Sequence, residues 1–112
     1  MPGITFRLTN DDEPRKLAPR LLLITRPGLS IEGQPAVAAS VDPPLTGNGW
    51  GDGTSEVILV SRTRGVSIDE IINDKRLRPA RVYVCRYVGQ EADLPPELPQ
   101  AEVEIGFWGK LE

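Results

Sequence analysis

The chain has 112 residues, a net charge of −3, 11 glycines, 11 prolines, no histidine and one cysteine. That length supplies one domain, residues 1–112, with a core of its own, and a glycine-plus-proline share below the roughly 25–30% of disordered sequences predicts short elements joined by punctuated loops. The missing histidine removes the commonest general base and metal ligand, and a lone cysteine excludes an internal disulfide.

The remaining bulk features concern compartment. Residues 1–20 lack the apolar core of a signal peptide, and the purest apolar run, Leu21 to Ile24, is far short of the roughly 20 residues that span a bilayer. The expectation is a soluble, cytoplasmic protein with no membrane association.

In chain order, Ile4, Phe6 and Leu8 alternate with Thr5, Arg7 and Thr9, a half-buried strand over about residues 3–9. Asn10 to Pro19 is charged, holds two prolines and reads as loop. Arg20 to Arg26 surrounds LLLI and predicts a buried strand, closed by a turn at Pro27-Gly28. A further strand near 36–41 is expected at a sheet edge, ended by Pro43-Pro44. Thr46 to Thr54, TGNGWGDGT, is loop by composition. Glu56 to Arg62 is a strand apolar on both faces through Val57, Ile58, Leu59 and Val60.

The clearest signals lie in Ser67 to Val88. Ser67 and Glu70 form the S-x-x-E capping box, and Ile68, Ile71 and Ile72 share one face, so a short helix over 68–75 is expected with its isoleucines on a sheet. Lys75 and Arg76 fall at its negative end. Pro79 closes the segment, and a strand follows over 80–88 with Val82, Val84 and Val88 on one face and Tyr83, Cys85 and Tyr87 on the other. Arg86 interrupts the valine face and requires an edge or an acidic partner. Gly89 to Gln100 is proline-rich, acidic and superficial. Val103, Ile105 and Phe107 then alternate in a last half-buried strand ending at Trp108.

Five or six strands and one short helix, joined mainly by hairpin-like loops, give a mainly β fold: an antiparallel β-sandwich or open barrel. The alternative is an α+β arrangement with the helix on one sheet face. Charge is uneven: residues 62–88 carry seven basic and three acidic side chains, residues 89–112 one basic and six acidic. Opposite charges in successive segments are satisfied within the molecule, which argues against a nucleic-acid partner.

No pattern in the sequence specifies catalysis. Cys85 sits mid-strand with no histidine to activate it and is read as a buried, inert thiol. The glycines at 47, 49, 51 and 53 match neither a P-loop nor a Rossmann turn, and no metal site or cofactor is expected. Two features are candidate binding sites. In an extended glycine loop Asn48, Trp50 and Asp52 project to one side, with Trp50 as an anchor that a partner covers and Trp108 as a packed counterpart. Arg76, Arg78 and Arg81, beside Lys75, form a basic cluster able to meet an anion, against the plainer reading that it is solvated and matches the helix dipole. The leading expectation is a non-catalytic interaction module, an accessory subunit or self-assembling protein, whose partner is another protein or a second copy. The alternative is a small ligand-binding domain for an anion, nucleic acid or glycan.

Overall fold

A computed structural model describes residues 5–10, 20–47, 51–90 and 93–112. The strands are β1 (Thr5–Asn10), β2 (Arg20–Ile31), β3 (Gln34–Gly47), β4 (Gly51–Ser61), β5 (Ala80–Tyr87), β6 (Glu97–Leu98) and β7 (Val103–Leu111), with one helix, α1 (Ile68–Asn73), between β4 and β5. The fold is mainly β with a short helix, as the patterning predicts. Order in the sheet is β1-β7-β5-β4-β3-β2-β6. Every neighbouring pair is antiparallel except β2 with β6, and β1 pairs with β7 through Leu8–Asn10 and with β2 through Thr5–Leu8, so the two margins meet at β1.

Strict alternation along the central strands produces two cores, one on each sheet face. Val37, Ala39, Val41, Val57, Leu59, Val82 and Val84 point inward and meet Phe6, Leu8, Leu22 and Leu111. Ile68 and Ile71 of α1 are fully buried in this inner core. Ala36, Ala38, Ile58, Val60 and Cys85 point outward and are covered by Leu29 and Leu98, with Leu94, Val103 and Tyr87 packed against them. Burying each fully enclosed aliphatic side chain is worth about 1.5–3 kcal/mol relative to exposure, so β3, β4 and β5 carry most of the stability.

Helix α1 forms for the reason its sequence gives. Ser67 Oγ accepts from the Glu70 N–H at 3.3 Å and Glu70 Oε2 accepts from the Ser67 N–H at 2.7 Å. The helix ends two residues earlier than predicted, because Asp74 leaves helical geometry and caps a 3-10 turn over Lys75–Leu77. Lys75 and Arg76 therefore lie beyond its last turn. The last turn is closed by Arg78 instead, whose Nη1 donates to the Ile71 and Ile72 carbonyls at 3.1 and 2.8 Å. Arg86 finds the acidic partner it requires in Glu104, at 2.8 Å.

Several expectations are corrected. Pro27-Gly28 is not a turn: β2 runs through it, absorbing the pair as register shifts between Ile24 and Leu29 with Gly28 at φ +80°. The reversal comes at Glu32-Gly33, where both residues have positive φ and Ile31 pairs with Gln34, as a two-residue hairpin of the primed type requires. The LLLI run is not buried on both faces, since Leu22 is enclosed whereas Leu21 is 55% and Leu23 39% exposed. β3 is not an edge strand. It lies between β2 and β4, and its small residues Ala36, Ala38 and Ala39 are fully buried. Nor does Pro43-Pro44 end it, because a register shift between Ser40 and Leu45 carries pairing on to Gly47 opposite Gly51. Much of the expected glycine loop is thus strand, and the expected loop over residues 11–19 lies outside the described residues.

Candidate functional site

Of the predicted site residues, Arg76, Arg78 and Arg81 have described side chains, and each lies in a different setting. Asn48 and Trp50 lie outside the described residues, and Asp52 is placed only as a backbone position in β4. Arg76 is exposed and grips Asp74, its Nε and Nη2 donating to the two carboxylate oxygens at 3.1 and 3.0 Å. That contact holds the Asp74 carboxyl below its ordinary range and raises the Arg76 guanidinium. Arg78 is turned to the helix end and lies 4.7 Å over the Phe6 ring. Arg81 is exposed on β5, opposite Lys110. Arg76 and Arg78 thus have evident local duties.

Cys85 is 3% exposed, and burial pushes its thiol up to about 12. A thiol so far from its ordinary range is protonated at neutral pH and a poor nucleophile. Among the described residues no three cysteine and carboxylate side chains converge as a metal-binding group, and no helix is long and apolar enough to cross a membrane.

A different surface has the composition of a contact site. On the outer face, β7 carries Trp108 opposite Tyr83 of β5, their rings edge to face at 6.2 Å. The Arg62 guanidinium lies 4.3 Å over the Trp108 ring and 5.6 Å from that of Tyr83. Ile105 stands nearby, opposite Cys85. Ile105 is 58% exposed, against the burial that the alternation of β7 predicts, and Trp108 is 46% exposed, against the expected packing at the end of its strand.

A bulge brings the two onto one face. Val84 pairs with Phe107 but Cys85 pairs with Ile105, so Gly106 is an extra residue in β7. A bulge reverses the phase of the alternation beyond it, which is how Ile105 and Trp108, three residues apart, both reach the outer face.

The outer core stops short of this surface. Residues 93–102 strap the lower part of the face: Arg26 Nη1 donates to the Leu94 carbonyl, the Ser30 N–H to the Pro96 carbonyl at 2.9 Å, and the Gln100 N–H to the Glu32 carboxylate at 2.8 Å. Between strap and Trp108 a cavity of about 490 Å³ opens over Val60 and Cys85. Sequence reasoning missed this site because the pairing of Tyr83 with Trp108 joins residues 25 apart through a register set by the bulge. Comparison with known proteins finds no matching family model, curated protein or solved structure.

Proposed function

We propose that the chain is a non-catalytic interaction module that self-associates through the outer end of β5 and β7. The observation behind this reading is the exposed Trp108 with Arg62 over its ring, beside Tyr83 and Ile105. Trp, Tyr and Arg are the residue types that dominate interface energetics, and an aliphatic neighbour adds apolar area that water leaves on contact. Cation and aromatic faces occur on one patch, so two copies related by a two-fold axis meet complementary groups.

The test is size-exclusion chromatography with light scattering at two concentrations, on the native chain and on Trp108→Glu. A concentration-dependent dimer that the variant loses supports the reading. A strict monomer at both concentrations, or a dimer indifferent to Trp108→Glu, overturns it and favours a ligand-binding domain.

A further inference from the structure

Two cavities adjoin, one over the outer face and one reaching the start of α1, and share Gln34 and Tyr83 as a common wall. Their chemistry differs. The one of about 490 Å³ is bounded by Ile31, Val60, Cys85, Val103 and Ile105, and its polar groups are the neutral Gln34, Gln100 and Tyr83. Among the described residues no charged side chain lines it. The other, of about 610 Å³, lies under the segment Ser61 to Ser67 and contains Arg62, Arg64 and Glu70. Glu70 is held by the Ser67 N–H at 2.7 Å, whereas Arg64 enters no ion pair among the described residues. The cleft thus grades from neutral and apolar to cationic across a single shared wall.

The smaller cavity is within the roughly 300–1,000 Å³ typical of small-molecule sites, which are mostly apolar with a few polar groups that fix orientation. A wholly apolar ligand would leave the arginine end unused. A polyanion would meet Glu70 at one end and an uncharged, apolar wall at the other, where burying charge is unfavourable. We propose that this double cleft binds an amphipathic carboxylate, with its apolar body over Val60 and Cys85 and its anionic head towards Arg62 and Arg64. Guanidinium groups suit the head because they meet a carboxylate through paired, charge-assisted hydrogen bonds. The cleft shares Arg62, Tyr83 and Ile105 with the proposed contact surface, so a ligand and a second copy compete for it; the inference does not require self-association, and light scattering and ligand titration fail separately.

Isothermal titration with decanoate, and with decanol as the uncharged counterpart, tests it. The expected result is one decanoate per chain, bound about tenfold more tightly than decanol, the preference a single charge-assisted contact supplies. Arg64→Glu abolishes that preference. Ile105→Glu places a carboxylate at the apolar mouth and weakens both ligands; Gln34→Glu, at an exposed position on the shared wall, does the same if the first variant fails to fold. Leu21→Glu, on an exposed part of β2 outside both cavities, changes nothing. Absence of decanoate binding, equal affinity for acid and alcohol, or an equal loss in Leu21→Glu overturns the proposal.

Discussion

The two faces of the sheet are built by the same alternation but finished differently. The inner face is closed on itself by the meeting of strand margins at β1 and by α1, and its side chains from Phe6 to Leu111 are almost wholly excluded from water. The outer face begins equally apolar, yet the strap over residues 93–102 covers only part of it and leaves Ile105 and Trp108 in solvent. Alternation therefore fixes which residues face which way, whereas coverage decides what a face is for. A face sealed by the chain serves stability, whereas the one left partly open carries exposed apolar side chains.

The largest effect probes whether the floor of the outer face, where Cys85 is buried beside the strap, is as dry as the inner core. With the Cys85 thiol raised from 9.0 to about 12, the folded chain holds roughly a thousandfold less thiolate at neutral pH than the unfolded chain. Labelling by a thiol reagent should be correspondingly slow and should accelerate in denaturant. The same shift has a signed consequence for stability. Because the unfolded thiol ionises first, the contribution of the neutral buried thiol is intact below about 9.0 and is lost as pH rises towards about 12. Denaturation of the native chain and Cys85→Ala across that range isolates it, and rapid labelling of native protein at pH 7 would show that the strap does not seal the floor.

Next comes the seal on the inner face. Ile71 is fully buried and, with Ile68, seats α1 in the inner core. Ile71→Ala should cost about 2–5 kcal/mol in denaturant unfolding, the range for large-to-small changes in cores. A cost under about 1 kcal/mol would mean that the helix is an ornament on a self-sufficient sheet.

Smaller effects are expected at the two ends of α1, which the chain terminates by unlike devices. Arg78→Ala removes a charged donor from two helix-end carbonyls and a cation from the Phe6 ring, and should cost about 1.5–3 kcal/mol. Ser67→Ala removes one cap and should cost about 1 kcal/mol. If Arg78→Ala is neutral while Ser67→Ala is not, Arg78 is free for another duty and the basic cluster regains its interest as an anion site. Binding of generic DNA or RNA that weakens in Arg78→Glu and in salt would point the same way.

How much of this was legible in the sequence follows from the range of each interaction. The capping box of Ser67 and Glu70, the two-faced strands around Ile58 and Tyr83, and the need of Arg86 for an acid are local or periodic, and each is found. Apart from the early end of α1 at Asp74, the failures are mainly matters of pairing. Pro27-Gly28 looked like a turn because its chemistry is that of one, but a bulge accommodates the same pair inside β2, while Glu32-Gly33 makes the reversal. The alanines of β3 suggested an edge strand, although small side chains are what a strand buried on both faces can accommodate where its neighbours are large. The candidate surface was hidden most completely. Gly106 gives no local sign that it will reverse the phase of β7, and nothing before the fold places Arg62 over Trp108.

The smallest stability effect belongs to that surface and separates it most cleanly from the core. Trp108 is the largest side chain of β7, and its half-exposed ring contributes mainly through its contacts with Arg62 and Tyr83, each worth about 0.5 kcal/mol at an exposed site. Trp108→Ala should therefore cost no more than about 1 kcal/mol, whereas a buried tryptophan truncated in the same way costs about 3–5. Fluorescence gives the independent reading. In a Trp50→Phe variant only Trp108 emits, and in the monomer its emission should be red-shifted and strongly quenched by iodide. Quenching should diminish on raising the protein concentration if two copies meet through this face. A blue-shifted, protected Trp108 in a chain shown to be monomeric, together with a truncation cost above about 3 kcal/mol, would make it core after all, and the open end of the outer face would not exist.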